Sequence, residues 1–526
     1  MNYKKHFQTK ETSQTEPIPG SNQIPNSAGG FAWAVDDWMR LDRFLVLGSE
    51  GGSYYASEHK LTVDNAQAVL RCIKENGVRV VNAIVAISEA GRAPKNDAAL
   101  FVLAMAAGMG DDATRKAAHA AIAKVARTGT HLFTFLENVQ AFRGWGRGLR
   151  RAIKSWYTSK EVSDLAYQVI KYQQRNGWTH RDALRLSHPK AKTPAYDALF
   201  RWITQGDIKD GIPALVVAYN ELQNAKTVED VLRSLNANPN LSWEMIPTQF
   251  LGEKRVWDAL LPNLPMTAML RNLARMTANG TIAPMSDSLD VIAKNLSNEE
   301  RIRKARIHPI SVLAAMTTYG QGHGSRGSLT WNPVPQVMDA LDKAFYLSFG
   351  NIVPTKKRWT LALDVSGSMR GGEIAGIPGL TPRIGSAAMA MITARTESRH
   401  AILGFSHELV PIAISPRQRL DDIVHTIQAI PMGGTDCALP MLWALEEKIE
   451  SDVFVIYTDS ETWHGDIHPA QALNEYRRKM GIPAKLIVVG MVGNEFSIAD
   501  PNDSGMMDVV GFDTATPEVM SQFVRN

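Results

Sequence analysis

Residue 357 divides two grammars of apolar patterning. Past "NIVPTKKR" (351–358), the short runs "WTLALDV", "AILGFS", "VFVIYTD" and "KLIVVGM" alternate with helical segments around 384–396, 420–430, 439–449 and 470–480. Consecutive apolar positions in a short β-rich run mark a strand buried on both faces, because a half-exposed strand would alternate. Strands of that kind need helices over each face. The pattern therefore predicts a doubly wound α/β domain over 357–526, with any ligand outside the carboxyl ends of its strands.

Upstream, over 62–347, the pattern is helical instead. "VDNAQAVLRCIKENG", "NDAALFVLAMAAGMG" and "ATRKAAHAAIAKVARTG" space apolar residues by three and four and end at glycine. Strong helix formers between short breakers predict stacked helix pairs, a helical-repeat solenoid without a strict repeat length. A chain of 526 residues that is 44% hydrophobic supports more than one core. The first 25 residues are polar and proline-containing and read as a flexible tail.

Function classes narrow quickly. Two cysteines, Cys72 and Cys437, stand far apart with no metal-type spacing, and no apolar run reaches the length of a membrane span. A cytoplasmic protein with no membrane association is the expectation. The glycine-rich "GWGRGLRR" and "GQGHGSRG" fit neither the dinucleotide fingerprint nor the phosphate loop.

The first strand of the α/β domain ends in "LDVSGSM", which sets Asp364, Ser366 and Ser368 where strand meets loop. These are hard oxygen donors, suited to a cation such as Mg2+ that prefers oxygen ligands and keeps some of its waters. Thr435 in "GGTD" and Asp459 in "IYTDSE" fall at further loop and strand-end positions. Together they resemble the metal-ion-dependent adhesion site of von Willebrand factor A domains, and the resemblance carries Asp364, Ser366, Ser368, Thr435 and Asp459 over as ligands. Asp436 could hydrogen-bond within its loop instead. Aspartate and serine also cap helices and tighten turns throughout proteins, which is the bland account of any one of them. No catalytic residue is assigned: Asp459, His464 and Ser366 could be drawn as a triad, but the G-x-S-x-G elbow is missing.

Net charge is only +4, yet 143–192 holds twelve Lys and Arg against three acids. In "KYQQRNGWTHRDALRLSHPK", Lys171 and Arg175 are four apart and read as one helix face, with Asn176 and Gly177 ending that helix. Thr179 reads as the N-cap of a second helix carrying Arg181 and Arg185, with His188 and Lys190 beyond its end. Such a corner could neutralise RNA phosphates. Equally, exposed Lys and Arg could simply solvate a helix, and Trp156 and Trp178 at helical spacing are expected in the core.

"NSAGGFAWAVDDWMRLDRFLVLGSEGGSYY", "KYQQRNGWTHRDALRLSHPK" and "TYGQGHGSRGSLTW" resemble the TROVE module of Ro60-type ribonucleoproteins, which is followed in that family by a von Willebrand factor A domain. The resemblance runs from about Asn26 to the end and points to a bacterial or phage-borne member. It implies a monomeric ring of HEAT-like repeats over 26–350 closed by the A domain over 357–526. It further implies that small Y RNA binds an outer surface through Lys171, Arg175 and His188. Single-stranded 3′ ends of misfolded or defective noncoding RNA would enter a central hole, in RNA quality control or processing. A 3′-to-5′ exoribonuclease, polynucleotide phosphorylase, is the implied protein partner. Gln173 departs from the vertebrate pattern, where a second Lys is common. The competing reading is a metal-dependent protein-adhesion scaffold built on the A domain.

Overall fold

A computed structural model describes residues 11–49, 57–324, 328–350 and 352–525, apart from 411, 413, 432, 511 and 514. The first ten residues of the expected tail, and parts of "GSEGGSYY" and "TYGQGHGSRG", lie outside the described residues. The chain divides into two compact units. One is Val69–Ile307 with Ser311–Ser348; the other runs through Ala68, takes His308–Ile310 and resumes at Phe349.

The first unit is built of helices, as the three-and-four spacing predicts. Those that bear on the basic region are α1 (Asp112–Val125), α2 (Gly129–Phe142), α3 (Arg147–Thr158), α4 (Val162–Lys171), α5 (His180–Ser187) and α6 (Pro194–Gln205). Three of the six starts are set by side-chain caps: Asp111 accepts from Thr114 N, Thr128 from His131 N, and Thr179 forms a full capping box with Asp182. α1 packs on α3 and α3 on α5. Trp156 is fully buried and donates its indole N–H to Ala126 O at 2.6 Å, the core role expected of it. Trp178 is half-buried, against Trp145.

One local expectation fails. The helix bearing Lys171 ends at that residue, and Arg175 lies in a short hairpin in which Gln174–Arg175 pairs antiparallel with Trp178–Thr179. Asn176 and Gly177 both take positive φ, 52° and 76°. That is the geometry of a two-residue hairpin turn, for which Asn-Gly is the favoured sequence. Lys171 and Arg175 therefore do not share a helical face. The second helix begins at Thr179 and stops at His188 in the left-handed region, as its cap and Pro189 predict.

In the second unit, β1 (Arg358–Asp364), β2 (Arg399–Phe405), β3 (Leu409–Val410), β4 (Val453–Thr458), β5 (Lys485–Gly490) and β6 (Met506–Val510) form one sheet in the order β6-β5-β4-β1-β2-β3. All neighbours are parallel except the β2–β3 edge. The four strands foreseen are present, β4 with every residue buried, and β6 and the antiparallel edge are additions. Strand order reverses at β1, which places a crevice at the carboxyl ends of β1 and β4.

Residues 11–25, read as a flexible tail, are tied to this unit instead. Gln14 is fully buried and the strand Phe31–Ala34 pairs antiparallel with Phe496–Ser497. Helix Asp37–Leu47 joins it through Arg43, whose guanidinium pairs with Asp508 at 2.6 Å, both side chains nearly inaccessible. The α/β unit thus recruits the described residues before Val69, where the sequence drew a domain boundary after residue 25 and gave the rest to the helical domain.

His180 heads α5 in the core of the helical unit, 2% exposed, bonded at Nδ1 to Tyr157 OH at 2.7 Å and packed on Phe133 and Trp156. Burial pushes its pKa down to about 3, and burial with Arg127 nearby pushes His131 down to about 4. Between pH 3 and 6.5 the unfolded chain binds the extra proton, so stability falls as pH falls through that window, by about 2 kcal/mol at pH 5 for His180 alone. Calorimetric unfolding should show a lower Tm at pH 5 than at pH 7.5, with a smaller drop in His180→Gln than in the parent. Equal drops would contradict the assignment.

Candidate cation site and basic surface

Asp364 ends β1 and is fully buried. Its Oδ1 accepts from Ser366 N at 2.9 Å and its Oδ2 from Thr458 Oγ1, at the end of β4, at 2.6 Å. Ser366 and Ser368 face each other, Oγ to Oγ 3.1 Å, and Ser368 also bonds the Asp459 carboxylate. Asp459 follows β4, 4% exposed. Burial, then the charges of Asp364 and Glu461, push its pKa up to about 8, and burial raises Asp364 as well.

Thr435 stands on the third loop, 2% exposed. Gly367 N donates to Gly433 O at 3.3 Å, which ties this loop to the one after β1. Thr435 O accepts from Trp463 N and His464 N at 3.1 and 2.9 Å, which ties it to the loop after β4. Arg383, on the helix Pro382–Thr396, donates to Ser366 O at 3.0 Å, to Ile430 O at 3.0 Å and to Val365 O. It clamps backbone and makes no salt bridge to either carboxylate.

Two buried carboxylates and three hydroxyls, with no salt bridge to either acid among the described residues, make a donor set that fits a hard divalent cation. Asp364, Ser366, Ser368 and Asp459 interact directly, while Thr435 is tied to their loops through the backbone of 433–435. Among the described residues no group of three or more His, Cys, Asp or Glu is placed to hold a metal. The set therefore depends on its hydroxyl oxygens and suits Mg2+ better than a nitrogen- or sulfur-seeking ion. His464 packs on His407 and Trp463, and no hydrogen bond links it to Ser366 or Asp459 among the described residues.

Asp436 is used within the fold, as its alternative reading held. Its Oδ1 accepts from Ala438 N at 2.9 Å and from Gln14 Nε2 at 2.6 Å. Gln14 also donates to Ile467 O at 2.9 Å and accepts from Thr462, while Ser27 N donates to Glu461 Oε2 at 2.7 Å. The N-terminal segment so braces the loops that carry Thr435 and follow Asp459. Sequence reasoning missed this role because partners more than 400 residues apart leave no local signal.

On the helical unit, Arg175, Arg181, Arg185, His188 and Lys190 are all exposed, and their side chains make no hydrogen bond or ion pair among the described residues. Lys171 differs. Its Nζ lies 3.3 Å from Glu244 and 3.2 Å from Tyr167 OH, and it is 13% exposed. Gln173 donates to Tyr219 OH at 2.6 Å. Glu244, unforeseen, neutralises one of the predicted contacts.

Comparison with known proteins decides the family. The TROVE domain matches residues 24–241 and 235–318, and the Ro60 vWA domain matches 358–524. The chain belongs to the Ro60 family. The RNA-binding protein RO60 of Deinococcus radiodurans is 43% identical over 516 residues, 97% of each chain, and that of Caenorhabditis elegans is 36% identical over 583 residues, 95% of this chain and 90% of the relative. The crystal structure of the Deinococcus radiodurans RO (RSR) protein matches with TM-score 0.72 at 41% identity, covering 93% of this chain and 99% of that one. A helical TROVE region followed by a vWA domain with a largely parallel sheet is the architecture expected from the sequence. No described helix is long and apolar enough to cross a membrane.

Proposed function

We propose that this chain is an RNA-binding protein that grips a small structured RNA, of the Y RNA class, on the corner formed by the hairpin at 174–179 and α5. The observation that carries this reading is the set of exposed, unpaired donors Arg175, Arg181, Arg185, His188 and Lys190, in a chain whose relatives are named RNA-binding proteins. Arg side chains offer forked donors to phosphate oxygens, and His188, held just past the helix end, adds a donor or acceptor for a ribose hydroxyl. Lys171 would first have to leave Glu244, so it contributes less than Arg175. Binding of misfolded noncoding RNA through its 3′ end, a quality-control role in the cytoplasm and a polynucleotide phosphorylase partner complete the proposal on family resemblance.

We further propose that Asp364, Ser366, Ser368, Thr435 and Asp459 hold Mg2+. The ion would relieve the repulsion between two buried carboxylates, and an open position on it could receive a carboxylate from a partner protein, which is where the adhesion reading finds support. The chain's own residues supply oxygens and a fixed cradle; none is assigned a catalytic step.

Fluorescence anisotropy with an RNA hairpin should show affinity falling steeply with salt. Arg175→Ala should lower the slope of log K against log salt by about 0.7–0.9, the share of one phosphate contact, and Lys171→Ala by less. Hairpin binding by Lys171→Ala/Arg175→Ala as tight as the parent at low salt would contradict the assignment. For the cation, Mg2+ should raise the Tm of the parent and leave that of Asp364→Asn unchanged; equal responses would remove the site.

A further inference from the structure

Two loops of the cation site are joined by one side chain from the far end of the sequence. Gln14 Nε2 donates to Asp436 Oδ1 at 2.6 Å, one residue past Thr435, and Gln14 Oε1 accepts from Thr462 Oγ1, three residues past Asp459. Gln14 and Thr462 are both fully buried, so the amide is spent at each end on a loop that carries a ligand residue. The backbone holds the same turn. Gln14 N and Ser13 Oγ both donate to Gly465 O, at 3.1 and 3.3 Å.

Further contacts follow along the loop after Asp459. Asn26 Nδ2 donates to Thr462 O at 2.6 Å and Ser27 N to Glu461 Oε2 at 2.7 Å. Gly30 permits this approach, because a Cβ there would clash with the backbone of Thr462 and Trp463. Between Asp459 and Glu461, Ser460 holds a left-handed φ of 61°. That conformation is costly for a residue with a Cβ and persists where its surroundings hold it. The N-terminal segment holds it from one side, and Asn494, which donates to Asp459 O at 2.5 Å, from the other.

The grip of the segment is polar. Gln14 and Asn26 are buried with their amides bonded, whereas Ile18, its contact with the apolar core, is only partly buried. Trp33, in the strand that follows, is 3% exposed in that core and keeps the segment tethered nearby. Hydrogen bonds are directional and each is worth little net, so a segment held this way docks best on loops already arranged to receive it.

We propose that residues 11–27 form a latch on the cation site: docking of the segment and binding of a divalent cation favour each other, with Gln14 as the positioning residue. The proposal rests on the Mg2+ reading given above. Drawn to one ion, Thr435 and Asp459 fix the spacing between Asp436 and Thr462 that Gln14 spans. Conversely, the docked segment orders both loops before the ion arrives, which leaves less ordering for binding to drive. Such coupling is reciprocal and supplies two independent readouts.

The test uses the full chain, with MgCl2 alone as the probe. Hydrogen exchange read by mass spectrometry should show the amides of 11–27 better protected in excess Mg2+ than in EDTA, a difference that Asp364→Asn abolishes. Gln14→Met keeps the side-chain length and removes both amide hydrogen bonds. It should raise the Mg2+ dissociation constant, measured by calorimetric titration, by about fivefold or more, the lower range of coupling between linked sites. Should Gln14→Met fail to fold, Asn26→Asp has the same expected direction: it keeps the acceptor for Ala28 N and Gly30 N and removes the donor to Thr462 O. A merely structural Gln14 would lower Tm equally in Mg2+ and EDTA and leave the dissociation constant alone. An unchanged affinity in the folded variant, or no added protection over 11–27 in a parent that binds Mg2+, would overturn the latch and leave the cation site standing. A parent that binds no Mg2+ would overturn both.

Discussion

The α/β unit is organised around two carboxylates held out of water at the carboxyl ends of adjacent parallel strands. Asp364 and Asp459 repel each other and lose hydration together, an arrangement that a fold tolerates only with compensation. Each nearby feature supplies some. Ser366 N, Thr458 and Ser368 donate to the acids, while Arg383 holds the loop after β1 through its carbonyls. Gln14, Asn26 and Ser27 tie the N-terminal segment to the loops beside them. The remaining demand is for positive charge, which a bound divalent cation would supply.

The helical unit solves a different problem with different residues. Its core is packed by alanine-rich faces and by aromatic residues gathered on His180, so its apolar requirement is met internally. The basic residues of 143–192 are then left at the surface with few acids to answer them. Where an acid is in reach the cation is spent, as Lys171 is on Glu244. The cations that remain unpaired at the 174–190 corner are those available to a polyanion.

Much of this was legible in the sequence because its physics is local. Continuous apolar runs give buried strands, and D-x-S-x-S at a strand end gives a cluster of oxygen donors. Thr179 followed by Asp182 gives a capped helix. What could not be read depended on distant partners or on a choice between two local grammars. Asn176-Gly177 ends a helix and also makes a hairpin turn; in the fold the hairpin prevails, and Arg175 leaves the face of Lys171. The polar composition of 11–25 resembles a loose tail, yet Gln14 is buried because Asp436, Ile467 and Thr462 satisfy both ends of its amide.

The most direct measurement is ultraviolet crosslinking in the native cells, followed by sequencing of the attached RNA and mass spectrometry of the crosslinked peptides. The account predicts strong enrichment of RNA, with one abundant small structured species and a spread of 3′-extended fragments, and crosslinked peptides concentrated within 143–192. Absence of RNA above an uncrosslinked control, or crosslinks confined to the α/β unit, would contradict it.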